Sequence, residues 1–546
     1  MGSLGFWRIA QADPEWIAAV DPDGTEHTAG DLLARANRLV HGLRDLGLAP
    51  GDGICGLVPN GVDSLTLYLA AMQAGWYYTP INWHLTGPEI GYIVADSEAK
   101  ALFVHERYGE EGLRGAEEAR ISRDRCFSFG TVTWLNGEQR PDGEQRPDGR
   151  PWRPVADLTE GRPDTLPADR TAGATMHYTS GTTGKPKGVR RPLSGLDPDD
   201  GAELMTFLLG LFGMTPGRPN AHLVTSPNYH TAVTQFGGTA LHMGHTLVYM
   251  DKWDAEETLR LCERYRVTNS HMVPTHFKRL LALPDEIRRE YDLSSLKWMI
   301  HAAAPCPVPV KQQMLEWWGD VVYEYYAATE GGGTIATPED WKKHPGTVGK
   351  AWPISELLIV DDDLNEVPRG TPGTIYMKMM GVRFEYKGDP AKTEANRLAV
   401  GVGARRGVGE NTDYFTVGDI GYLDDDGFLF LCDRKADMII SGGANIYPAE
   451  IENELLIHPK IADVAVFGIP DDEWGEQIKA VIEPAPGVAP GPELAEEILA
   501  SLNGRLSKMK WPKSIDFIEE MPREPNGKLL KRKLRDPYWE GRDRAI

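Results

Sequence analysis

Five cysteines in 546 residues are too few to build a disulfide framework. Cys55, Cys126, Cys262, Cys306 and Cys432 never fall as C-x-x-C, and their number is odd, so a zinc site is not expected either. They read as small hydrophobes of a reducing compartment. Long apolar runs are also missing. None approaches the roughly 20 residues of a membrane helix, so no membrane span is expected. The stretch Met1–Trp7 lacks the basic-then-apolar pattern of a secretory leader, and Phe6 spoils the myristoylation pattern that Met1-Gly2 begins. A cytoplasmic location is expected. Positive charge is in deficit: 58 Lys and Arg against 80 Asp and Glu leave a formal net charge of −22. Such a surface repels nucleic acid and anionic membranes. An anionic small ligand would need a local exception, which directs attention to glycine loops carrying lysine.

The length implies two to four domains. Residues 28–105 alternate helix and strand signals: a helical run from Leu32 to Leu46 stopping at Gly47, a buried strand Ile54–Val58, a helix Leu65–Ala74 ending at Gly75. That rhythm predicts a parallel sheet with crossover helices. From about residue 438 the texture changes to a small α+β pattern. It has a helix over 451–456, strands over 464–469, 480–482 and 514–518, and a helix over 493–506. The expected class is α/β, a large N-terminal domain (1–433) of layered sheets and helices and a small α+β domain (438–546), joined at 434–437. The tandem Gly-Glu-Gln-Arg-Pro-Asp duplication at 137–148 and the Gly/Arg-rich stretch 396–412 read as surface-loop expansions.

Residues 178–188 read Tyr-Thr-Ser-Gly-Thr-Thr-Gly-Lys-Pro-Lys-Gly. Thr179, Ser180, Thr182 and Thr183 supply hydroxyls. Lys185 and Lys187 supply ammonium groups, and Gly181, Gly184 and Gly188 let backbone N–H groups approach an anion closely. This is a phosphate cradle between strands. It is not a Walker A loop. Only two residues separate Gly181 from Gly184, and Pro186 stands where the magnesium-binding hydroxyl should be.

The loop resembles the phosphate-binding motif of the superfamily of acyl-CoA synthetases, peptide-synthetase adenylation domains and luciferases. The resemblance spans about residues 10–540 through an ordered series of motifs. It is strongest to bacterial fatty-acyl-CoA ligases, in Asn269–Thr275 and in 433–450. It implies transfer of AMP from ATP to a carboxylate, with Mg2+, and a small domain that is mobile.

Within that resemblance, Tyr326-Ala327-Ala328-Thr329-Glu330 resembles Tyr-Gly-x-Thr-Glu, with Ala327 in place of glycine. It implies that Tyr326 stacks on adenine, Thr329 meets the α-phosphate and Glu330 holds magnesium. Gly331–Gly333 follow and would allow close ligand approach. Asp419, after Val417-Gly418 rather than Thr-Gly, implies a carboxylate for the ribose hydroxyls, with Arg434 beside it. His301 followed by Ala302, Ala303 and Ala304 resembles the segment beside adenine and the acyl pocket. His230, in Ser226–His230, implies a place near the substrate carboxylate. Lys528, in Pro525–Leu529, resembles the C-terminal lysine that bridges carboxylate and α-phosphate. Ser441, Gly442 and Gly443 resemble the turn lining the pantetheine path. The usual Asp or Lys pivot is Ala436. Lys531, Arg532, Lys533 and Arg535 read as a solvated basic face.

The resemblance implies an acid–CoA ligase that makes an acyl-adenylate and then a thioester, with coenzyme A as co-substrate. The absence of a carrier-protein domain in the sequence favours that expectation. The other adenylating outcome is a non-CoA acceptor: amide formation, carrier-protein loading, or nitrite activation for diazotisation of an aryl amine. A catalytically dead nucleotide-binding regulator is disfavoured because Lys528, Glu330 and Asp419 are all present. The pocket is expected to draw on 228–240, 271–275, 300–304 and 326–334, where Tyr229, His230, Phe236, His271 and Met272 mix with several glycines, which admits a fatty, aryl or polycyclic acid. A monomer or homodimer is expected.

Overall fold

The computed structural model describes residues 4–131, 152–179, 186–379, 384–398, 414–523 and 529–540. Contacts divide the chain into two compact units. One comprises Met1–His271, Asp285–Met299 and Val382–Glu394; the other comprises Met272–Pro284, Ile300–Gly381 and Ala395–Ile546.

The first unit contains the alternating pattern of the N-terminal residues. Thr28 caps the helix Ala29–Asp45 by accepting from the Asp31 N–H. That helix buries Leu32, Ala36, Leu39, Val40 and Leu43, the three-and-four spacing of one face. The helix Val62–Ala74 is buried nearly all round and closes on Gly75, whose φ of 71° is the left-handed cap. Between such helices lies a six-stranded sheet in the order Arg153–Pro154, Cys126–Phe129, Ala99–His105, Gly53–Leu57, Tyr77–Pro80, Ala174–Thr175. All its pairings are parallel, as the sequence rhythm predicts. In the same unit, parallel strands Ile17–Val20, Thr246–Tyr249, Ala221–Val224 and Asn269–Met272 form a second array. A small antiparallel sheet joins Glu385–Tyr386, Lys187–Arg190 and His177–Thr179. Ala174–Thr175 and His177–Thr179 are thus two separate strands, each in a different sheet.

The second unit is antiparallel in character. Val322–Ala328 pairs with Gly331–Ala336, which pairs with Lys350–Ala351. A four-stranded sheet runs Ser355–Val360, Gly373–Met379, Asp419–Leu423, Leu429–Arg434. The C-terminal portion forms a five-stranded sheet of Ala444–Ile446, Ile439–Ser441, Gly475–Pro484 and Ile461–Asp471, with Ser514–Phe517 parallel to Gly475–Pro484. It has a core of its own: Ile439, Ile451, Leu455, Val466, Ile482 and Ile498, among others, are buried together. The helix expected over 493–506 spans Pro492–Ser501, because the chain turns through Gly504 at φ 77°. Lys435–Asp437 is a short 3-10 turn between a strand of the four-stranded sheet and the first strand of the five-stranded one.

The basic run after residue 530 is not a solvated face throughout. In the helix Lys531–Arg535, Lys531 is paired with Glu452 at 2.8 Å, and Arg535 with Asp437 at 3.1 Å. Residues four apart share a helix face, and this face is turned inward. The five cysteines are unpaired; Cys55, Cys126 and Cys262 are buried. The two sequence expansions, 137–148 and most of 396–412, lie outside the described residues. No helix among the described residues is long and apolar enough to cross a membrane.

Candidate active site

In the first unit the segments flanking the glycine loop form a strand pair. His177–Thr179 and Lys187–Arg190 pair antiparallel, with Thr179 directly opposite Lys187. The first of these strands ends at Thr179 and the second begins at Lys187. Ser180, Gly181, Thr182, Thr183, Gly184 and Lys185 lie outside the described residues. The stem is anchored on three sides. Tyr178 donates to Asp96 at 2.6 Å. Tyr92 donates to the Pro186 carbonyl at 3.1 Å. Lys187 forms an ion pair with Asp389. Lys187 is thus a strand residue with a carboxylate partner, and Gly188 leaves room for the Tyr178 ring, which a Cβ would meet at 3.0 Å.

His230 stands at the start of the helix Thr231–His242, its ring 4.4 Å from that of Tyr229. Tyr229 in turn meets Trp83 edge-on at 4.6 Å. Nearby in the same unit, Phe236 and His271 rings lie 4.9 Å apart. Burial, reinforced by His222 and His230, pushes His271 down to about 3, so it stays neutral. The segment Ser226–Asn228 is fixed by Asn60, which donates to the Ser226 carbonyl at 3.0 Å and accepts from the Asn228 N–H at 2.8 Å. Asn60 and Asp389 carry no motif signal; only the fold brings them to these segments.

In the second unit, Thr329 and Glu330 form the turn between Val322–Ala328 and Gly331–Ala336. Glu330 is 7% exposed. Gly331 and Gly332 take φ of 133° and 73°, which favour glycine. Gly333 serves packing: a Cβ there would lie 2.6 Å from the Tyr326 carbonyl oxygen and 2.7 Å from Trp352. Its lack of a side chain is thereby explained by the hairpin itself.

Tyr326, Asp419 and Arg434 converge. The Tyr326 hydroxyl donates to Asp419 Oδ2 at 2.7 Å, and Arg434 Nε lies 3.5 Å from Asp419 Oδ1. Asp419 and Arg434 are paired across neighbouring strands. Burial first, then the Asp419 carboxylate, raises the Tyr326 phenol well above its ordinary value, so it stays protonated as a donor. The Thr416 hydroxyl, just before Val417, accepts from the Gly418 N–H at 3.0 Å.

Ala302 is buried, whereas Ala303 is exposed with a φ of 73°. A non-glycine residue in that region is held there at some cost, a feature common where backbone is presented to a ligand. Gly442-Gly443, φ 58° and 80°, are the two-residue turn between strands ending at Ser441 and starting at Ala444. The Trp474 ring lies on Gly442, where a Cβ would come within 2.5 Å of it. At 435–437, Lys435 pairs with Asp362 at 2.6 Å and Arg535 with Asp437. Lys528 lies outside the described residues.

A hard cation bridging phosphates commonly takes only one or two protein carboxylates. Glu330, a sheltered carboxylate at a hairpin tip beside a threonine hydroxyl, suits that. The other metal-like group among the described residues is His344, Asp424 and Asp426. In it Nδ1 faces Asp424 at 3.0 Å, Nε2 faces Asp426 at 3.7 Å, and the ring stacks on Phe428.

The family model described as AMP-binding enzyme matches residues 6–386, and that of its C-terminal domain matches residues 450–528. The chain belongs to the AMP-binding enzyme family. It is an AMP-forming ligase of mixed α/β architecture with a large N-terminal and a smaller C-terminal domain. It is 31% identical to a long-chain-fatty-acid–CoA ligase of Mycobacterium tuberculosis, over 98% of this chain and 99% of that one. It is 28% identical to a fatty acid–acyl-carrier-protein ligase of Streptomyces coeruleorubidus, covering 98% and 96% of the two chains. Among solved structures, the ATP-bound MatB of Rhodopseudomonas palustris matches with a TM-score of 0.78 and 28% identity, covering 98% of each chain.

Proposed function

We propose that this ligase activates a hydrophobic or aryl carboxylic acid as its adenylate, using ATP and Mg2+, and passes the acyl group to coenzyme A. The observation that carries the nucleotide part is the Tyr326–Asp419–Arg434 cluster. A ring, a carboxylate and a guanidinium from distant parts of the sequence meet, as base and ribose recognition would require. Asp419 would accept from the ribose hydroxyls. The loop 179–187 would cradle phosphate with Thr179 and the backbone of its glycines. Glu330 would hold the magnesium, whose chemistry is to neutralise charge on the α-phosphate and the leaving pyrophosphate. Thr329 would donate to the α-phosphate, and Lys528 would bring a cation to the attacking carboxylate. The segment 302–304 would border the adenine.

The acid class rests on Tyr229, Phe236 and the neutral His271. An uncharged aromatic wall favours an apolar or aryl chain over a second carboxylate. His230 would face the reacting carboxylate. The turn Ser441–Gly443 would line the pantetheine path after the small domain rotates about 434–437, and the likeness to a fatty-acid–CoA ligase favours that acceptor. One observation favours a second reading. Ala436 stands where the family pivot is Asp or Lys, which leaves room for a carrier protein, an amine or nitrite chemistry in place of coenzyme A. A mass-spectrometric screen of carboxylic acids, with and without coenzyme A, nitrite and amines, tests both. An acyl-CoA product supports the first reading, and AMP release only with nitrite and an aryl amine overturns it.

A further inference from the structure

Below the nucleotide-binding hairpin of the second unit lies a buried ionic cluster that the proposed chemistry does not use. His301 ends the strand Trp298–His301, Lys311 lies on the helix Val308–Trp318, and Glu324 lies in the strand Val322–Ala328. His301 and Lys311 are fully buried, and Glu324 is 5% exposed. All three meet at one atom. Glu324 Oε2 lies 2.6 Å from Lys311 Nζ and 3.5 Å from His301 Nε2. The surroundings are aromatic: Trp341 faces the Lys311 ammonium at 5.1 Å, and Phe277 meets His301 edge-on at 5.1 Å.

Apolar residues of similar volume would stabilise such a core as well or better, so stability alone does not account for the cluster. The best attested use of buried charge is to fix one register among several. The positions of the three residues give that use an object. His301 immediately precedes Ala302–Ala304. Glu324 lies two residues before Tyr326 and five before Thr329. Lys311 lies on the helix connecting those two segments. A one-residue slip of the strand would move Tyr326 by about 3.3 Å. It would also pull Glu324 away from its counter-ion.

We propose that Lys311 and Glu324 form a buried charge clamp, with His301 set against the same carboxylate oxygen, that positions the two adenine-binding segments, setting the depth of Tyr326 and of backbone 302–304. The proposal rests on reading those segments as nucleotide-binding. The three are positioning residues, since none of them is assigned a contact with ATP. Burial pushes the Glu324 carboxyl up and the Lys311 ammonium opposes that push, so the clamp keeps its charge only while both partners are present.

The test separates position from stability. Lys311→Met strands a buried carboxylate and should lower the thermal midpoint. The double variant Lys311→Met with Glu324→Gln removes both charges at similar volume and should recover that midpoint. In ATP–pyrophosphate exchange, both variants should keep an ATP KM raised about tenfold, with kcat and the KM for the acid within twofold of the parent. Recovery of the ATP KM together with the midpoint would overturn the clamp. Glu324→Asp keeps both charges and should fold even if the double variant does not. It draws the carboxylate back by one methylene and should weaken ATP binding severalfold by calorimetry; unchanged affinity would also overturn the proposal. If the parent itself shows no ATP-dependent exchange with any acid, the nucleotide reading has failed, and the clamp's role falls with it.

Discussion

The hydroxyl of Tyr326 donates to the carboxylate of Asp419 at 2.7 Å, across 93 residues of sequence. One Asp419 oxygen is thereby oriented by a partly buried phenol while the other faces Arg434. On the proposed reading, a carboxylate so held would accept from the two ribose hydroxyls.

Tyr326→Phe keeps the ring and deletes that donor. A hydrogen bond to a charged acceptor is worth on the order of 1.5–3 kcal/mol. The KM for ATP in pyrophosphate exchange should therefore rise roughly ten- to 150-fold, with the KM for the acid unchanged. An equal rise in both would show that the contact is not specific to the nucleotide.

Gly333→Ala should damage the hairpin that presents Thr329 and Glu330. The added methyl would clash with the Tyr326 carbonyl and Trp352. Overpacking of this kind costs about 1–3 kcal/mol. A lower thermal midpoint and weaker exchange are expected together, read by calorimetry and by pyrophosphate exchange.

Asp389→Ala removes the partner of Lys187 at the stem of the glycine loop. Lys187 is largely buried, so it would be left with an unbalanced charge. The expected result is a loss of about 1–3 kcal/mol in urea unfolding, along with a higher KM for ATP. Asp389→Asn, which keeps an acceptor, should lose less.

His242 carries a pH dependence with a definite sign. Its Nδ1 accepts from the Phe6 N–H at 3.1 Å, and burial holds it down to about 3. The unfolded chain takes up a proton near the ordinary histidine value of about 6.5, while the folded chain does not. Folding stability from this group is therefore complete above pH 6.5 and declines as pH falls from there towards 3, by up to about 1.4 kcal/mol per pH unit. Subtracting the urea-unfolding profile of His242→Gln from that of the parent should leave that slope. A flat difference between pH 7.5 and 5.5 would refute the assignment.

The glycine loop, Tyr326, Glu330 and Asp419 stand out in the sequence because each sits in a contiguous motif whose residue types would suit phosphate, metal or ribose chemistry, and the structure brings Tyr326 onto Asp419. The parallel sheet was legible from the alternation of Leu32–Leu46, Ile54–Val58 and Leu65–Ala74. What was not legible depends on contacts between distant residues. Asn60 reaches Ser226, Asp389 reaches Lys187, and Lys311 meets Glu324 inside the core. No local pattern encodes such pairs. Lys531 shows the opposite error. A run of basic residues suggests solvent, but helical spacing turned two of them onto Glu452 and Asp437.

Lys528→Ala should reduce adenylation about 10²–10³-fold, the typical cost of removing one charge-stabilising donor. Thioester formation from supplied acyl-adenylate should change little. Equal loss in both half-reactions would contradict the role assigned to this lysine.

The most direct measurement is pyrophosphate exchange into ATP, followed by addition of coenzyme A. The account predicts exchange that requires both Mg2+ and a hydrophobic or aryl carboxylic acid. Coenzyme A should then convert ATP to AMP with one thioester formed per AMP. Exchange independent of any carboxylic acid, or AMP formed without consumption of coenzyme A, would contradict it.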